Sequence, residues 1–159
     1  MLNQSKQKIM KTCKKNITGL RIVKDSGTAA FKSVKILQSG DAAQYMRQFW
    51  SDDIEIYESF FLLLLNRANN TIAYVKISQG GTTSTVVDVK IIAKYVIDSL
   101  ASSAIVAHNH PSGDLRASKP DVDMTKRLKE VLALVDCQLL DSLIITKEGF
   151  FSLADDGQI

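Results

Sequence analysis

The stretch Ser59-Phe60-Phe61-Leu62-Leu63-Leu64-Leu65 shows no polar alternation. It is far too short to cross a bilayer, which takes about 20 apolar residues in a helix. A short unbroken apolar run reads as a strand at the centre of a sheet, because a strand with one solvated face would alternate. A chain with such a strand must supply cover on both sides. With 159 residues, 45% of them hydrophobic, this chain is long enough for one domain with a substantial core.

The surrounding pattern supplies that cover. Asp41 is placed to cap a helix running to about Trp50, with Tyr45, Met46, Phe49 and Trp50 on its apolar side. The strand itself is expected over about Tyr57 to Asn66. Arg67-Ala68-Asn69-Asn70 then turns into a second strand, Thr71 to Ser78, as a hairpin. Gly80-Gly81-Thr82-Thr83-Ser84-Thr85 lacks the Gly-Lys-Ser/Thr of a phosphate loop and reads as a connection bordering a substrate groove. Val89, Ile92, Ala93, Val96, Ile97 and Leu100 recur at helical spacing. Ser103 to Ala107 is a short apolar strand, about Lys119 to Val135 an amphipathic helix, and Gln138 to Thr146 and Phe150 to Leu153 are further strands. The order predicts a mixed sheet with helices packed on it.

Charge divides the chain. Residues 1–24 contain Lys6, Lys8, Lys11, Lys14, Lys15, Arg21 and Lys24 and no acid, whereas the remainder carries 13 basic and 17 acidic residues. Turn-forming residues from Asp25 to Asp41 mark the boundary, which divides a basic arm and linker, 1–38, from a domain, 39–159. Such an arm suits phosphates or an acidic partner, or stands as a solvated tail. No signal-peptide-like apolar core opens the chain, so a cytoplasmic location without membrane contact is expected. Cys13 and Cys137 form no CxxC pair, which points away from a disulfide framework or a thiolate metal site.

Both histidines of the chain lie in His108-Asn109-His110-Pro111-Ser112-Gly113, directly after the Ser103–Ala107 strand. Alternate strand residues share a face, so the two imidazoles point the same way and offer two nitrogens to a borderline cation such as zinc. The bland reading is a pair of surface histidines. Asp121 follows eleven residues after His110, as the natural third ligand. Ser118-Lys119-Pro120-Asp121 also fits a helix start, with Ser118 as N-cap and Asp121 in the third helical position. Both roles are compatible. Glu58, at the entrance of the central strand, reads from the residues alone as a solvated acid. No HExxH, no His-x-Glu with PCxxC and no G-x-S-x-G is present, which removes the usual metalloprotease helix, the nucleobase deaminases and the serine-hydrolase elbow.

The pattern His-x-His-Pro, then Ser-x-x-Asp, with a Glu upstream, resembles the JAMM (MPN) metallo-hydrolase motif, and the spelling HNHPSG resembles the RadC-like branch of that superfamily. The resemblance covers roughly residues 40–159. It implies an α/β fold, a mixed sheet with flanking helices in the JAB/MPN three-layer architecture shared with cytidine deaminases. It implies His108, His110 and Asp121 as zinc ligands, Ser118 beside the remaining position, and Glu58 as the general base. The expected function is zinc-dependent hydrolysis of peptide or isopeptide bonds, with a peptide or protein as partner. The alternatives are a DNA-repair or mobile-element-associated protein binding nucleic acid through residues 1–24, and a metal-binding module without turnover.

Overall fold

A computed structural model describes residues 33–50, 52–81 and 86–159. The basic arm, 1–24, and most of the Gly80–Thr85 connection therefore lie outside the described residues. Among the described residues three helices, α1 (Ser39–Arg47), α2 (Val89–Ser99) and α3 (Lys119–Ala133), accompany five strands, β1 (Ser59–Leu65), β2 (Thr71–Gln79), β3 (Ser103–Asn109), β4 (Gln138–Ile145) and β5 (Phe150–Ser152). The strands form one sheet in the order β2-β1-β3-β4-β5. Only β3 and β4 pair in parallel; the other neighbours are antiparallel. A parallel pair needs a long crossover, and α3 provides it.

β1 is buried along its whole length, and its alternate residues divide between two cores. Phe61, Leu63 and Leu65 join Ile105, Ala107, Leu143 and Ile145 beneath Ala42, Ala43 and Met46 of α1. Phe60, Leu62 and Leu64 join Ala104 and Val106 against Ile92 and Val96 of α2 and Leu128 and Leu132 of α3. The result is a three-layer α/β domain of the JAB/MPN type, with one helix on one face and two on the other.

Two local expectations need correction. α1 begins with Gln38 at its N-cap, and Asp41 occupies the third helical position instead. There the carboxylate accepts hydrogen bonds from the Leu37 and Gln38 N–H groups, at 3.0 and 3.2 Å. The same helix ends at Arg47, three residues before Trp50. The Arg47 guanidinium turns to the carbonyls of Thr146, Lys147 and Gly149, tying the helix end to the β4–β5 turn. Residues of the expected linker also contribute to the domain: Lys35 bridges to Asn70, and Ile36 is buried in the α1 core.

Burial sets the cost of truncation. Leu62 is fully buried in the second core, whereas Leu37 is 77% exposed. Leu62→Ala should lower the urea-unfolding free energy by about 2–5 kcal/mol, and Leu37→Ala by less than about 0.5 kcal/mol. Denaturation midpoints with unchanged slopes check both.

Candidate metal centre

The crossover explains why distant residues meet. A helix that follows a strand returns across the sheet, so the start of α3 lies near the end of β3. The connecting segment turns sharply: Gly113, at φ 79°, donates its N–H to the His110 carbonyl at 3.0 Å. A β-carbon would be strained at that dihedral. Ser118 caps α3, and its hydroxyl oxygen accepts the Asp121 N–H at 3.3 Å. In return, one Asp121 oxygen accepts the Ser118 N–H at 2.8 Å and the Ser118 hydroxyl at 2.5 Å. The helix start thus fixes the carboxylate while leaving its other oxygen directed elsewhere.

That other oxygen, Oδ1, lies 3.4 Å from His108 Nε2, and Oδ2 lies 3.8 Å from His110 Nε2. The two Nε2 atoms are 3.0 Å apart. One donor atom from each of His108, His110 and Asp121 falls within 4.8 Å of the others. The shared strand face expected from the His-x-His spacing is therefore present.

His110 Nδ1 lies 2.6 Å from the Asp114 carbonyl, which can only accept, so this nitrogen carries a proton and the ring turns Nε2 toward His108. His108 Nδ1 is buried and has no hydrogen-bond partner among the described residues. The His108 ring is only 1% exposed and lies nearly parallel to Phe60. Burial pushes its pKa down from 6.5 to about 4; the Asp121 carboxylate opposes this and His110 adds to it. His108 is thus neutral at neutral pH, as a metal ligand must be.

Glu58 sits just before β1 and is partly buried. Its N–H donates to the Gly81 carbonyl at 3.1 Å and its carbonyl accepts from Gly80 N–H at 2.8 Å. The β1–β3 register sets Phe60 opposite His108. Glu58 lies two residues before Phe60, beyond the end of that pairing. Ser118 is exposed, and its hydroxyl proton is directed at Asp121 rather than outward. An open cavity at the opposite end of the sheet, lined by Arg67, Ser103, Lys129 and Gln138 among others, includes none of these residues.

Sequence reasoning assigned no role to two residues around the cluster. The Asp114 carbonyl orients His110, and no side-chain type signals a backbone acceptor. Asn109, between the histidines, is fully buried and makes four side-chain hydrogen bonds on the other face of the sheet. Strand alternation would have predicted that face but not the partners.

A mixed sheet whose His-x-His strand end meets a carboxylate at a helix start is the site architecture of a JAB-type α/β domain. The chain belongs to the RadC-like JAB domain family, whose model matches residues 36–158. A UPF0758 protein of Flavobacterium johnsoniae is 36% identical over 126 residues, 79% of this chain and 54% of that protein. A second, from Coprothermobacter proteolyticus, is 42% identical over 125 residues, 77% of this chain and 53% of its own length. One from Neisseria meningitidis serogroup B is 33% identical over 127 residues, 79% and 55% respectively. The chain spans about half the length of the curated relatives it matches. No helix among the described residues is long and apolar enough to cross a membrane.

The depressed His108 pKa gives the metal-free protein a pH-dependent stability. Between pH 6.5 and about 4 the unfolded chain takes up a proton that native His108 refuses. Stability is therefore full above pH 6.5 and falls as pH drops through that window, by up to roughly 3 kcal/mol. Urea titrations of chelator-treated protein should show this decline, and His108→Asn should flatten it.

Proposed function

We propose that this domain is a zinc-dependent hydrolase of peptide or isopeptide bonds. The observation that carries the reading is the convergence of two imidazole nitrogens and one carboxylate oxygen within 4.8 Å. Two histidines and one carboxylate are the protein ligand set of a catalytic zinc site that keeps a position open. The chain's own chemistry fits: His108 is neutral, and His110 already presents Nε2 outward from its bond to Asp114. Both facing Nε2 atoms must be unprotonated to hold a cation, so uptake should weaken as pH falls.

Zinc at such a site supplies Lewis acidity and lowers the pKa of water to about 7. The protein's part is distributed over His108, His110 and Asp121 as ligands, Glu58 as general base and Ser118 as a neighbouring donor. Glu58 would take a proton from the attacking water and deliver it to the leaving amine. Ser118 orients Asp121 and would offer its hydroxyl to the carbonyl oxygen of the scissile bond once redirected. The likeness to JAMM hydrolases supports an amide as the bond cleaved.

Zinc should bind at about one ion per chain, measured by elemental analysis of protein prepared without a histidine tag. Glu58→Gln should retain the zinc and lose on the order of 10²–10⁴ in rate. His108→Ala should lose both zinc and rate. Near-parental turnover by Glu58→Gln would remove the general-base assignment, and zinc binding without turnover in any peptide library would leave a binding module.

The charge of the arm supports a second reading, nucleic-acid association, because residues 1–24 hold seven basic residues and no acid. DNA affinity of the full chain should then fall steeply with salt and drop on removal of residues 1–24. Equal, salt-insensitive binding by both forms would refute it.

A further inference from the structure

We propose that Asn109 is a positioning residue that holds the Glu58-bearing segment against the histidine strand. The inference rests on the hydrolase reading given above. Alternation along β3 sends the His108 and His110 side chains to one face of the sheet and that of Asn109 to the other. There its amide nitrogen donates to the Ile54 and Tyr57 carbonyls, at 2.6 and 2.8 Å. Its oxygen accepts the Ser59 N–H and the Trp50 indole N–H, both at 2.7 Å. Two donors and two acceptor positions are thus all occupied.

Three of the four partners lie in the backbone that brackets Glu58, on residues 54, 57 and 59. The Glu58 backbone itself is clasped from the other side by Gly80 and Gly81. Residues 52–57 form turns and a bend outside the strands, and the pairing of β1 with β3 reaches only as far as Phe60 and His108. The Asn109 side chain ties this segment to β3 from between the two histidines. Asn109 therefore works with the Gly80–Gly81 clasp to hold this segment beside the histidine strand, without itself belonging to the His108–His110–Asp121 cluster.

Asn109→Asp tests this, since it keeps size and the acceptor oxygen but sets a second oxygen against two carbonyls. The expected result is a kcat lower by on the order of 10²-fold, as for misplacement of a reacting group by about 1 Å. KM should stay within about twofold and zinc content should be unchanged, because β3 and its pairing with β4 hold the histidines independently. Added to Glu58→Gln, the same substitution should cost less than about twofold, since the residue it positions is already disabled. Loss of zinc, a rise in KM alone, or multiplicative losses in the double variant would overturn the proposal.

A readout without turnover separates this inference from the hydrolase reading. Amide hydrogen exchange across residues 54–60 should accelerate in Asn109→Asp and Asn109→Ala while β3 and β4 stay protected. Unchanged exchange there would overturn the tether even in an active enzyme. Accelerated exchange in a parent that cleaves no peptide would keep the tether and discard the hydrolase. If the alanine variant does not fold, the aspartate variant alone decides.

Discussion

The antiparallel pairing of β1 with β3 is the constraint on which the rest of the domain depends. Its register sets Leu62 opposite Val106 and Phe60 opposite His108. Both strands are buried on both faces, so a slip of one residue would exchange every side chain between the α1 core and the α2–α3 core. Phe61 and Leu63 would then meet the two-helix layer, and Phe60 and Leu62 the single helix. The two faces meet different partners, α1 on one side and α2 with α3 on the other, so a slipped register would mismatch both. Because His108 and Asn109 continue β3, the same choice decides which of them faces the helix start and which faces Trp50.

The crossover through α3 completes the arrangement at the end of the sheet. A capped helix start holds Asp121 by two hydrogen bonds from Ser118, near the positive end of the helix dipole. Two polar rings and a carboxylate gathered at the edge of an apolar core are costly unless something satisfies them. His110 finds the Asp114 carbonyl, while His108 Nδ1 has no partner among the described residues. A cluster of this kind is hard to account for as packing alone, and that is the physical basis for reading it as a site.

Much of this was legible from residue order. The unbroken apolar run, the helical spacing from Val89 to Leu100 and the Ser118-to-Asp121 helix start all rest on local periodicity or local hydrogen bonding. The structure follows them to within a few residues. α1 was less legible because Asp41 is acceptable both at an N-cap and in the first turn. Its last residue, Arg47, sends its side chain to carbonyls about a hundred residues away, a contact that no local pattern announces.

By itself the sequence determined that β1 must be central, that two imidazoles share a face, and that a carboxylate opens a helix. These are consequences of strand and helix periods, which act over a few residues. Only the tertiary structure decided that His108 is neutral and nearly inaccessible, that Asp121 comes within 3.4 Å of it, and that Asn109 grips the backbone around Glu58. Those facts depend on pairs 13 to 55 residues apart. Burial, sheet register and the crossover bring such pairs together, and no local pattern specifies them.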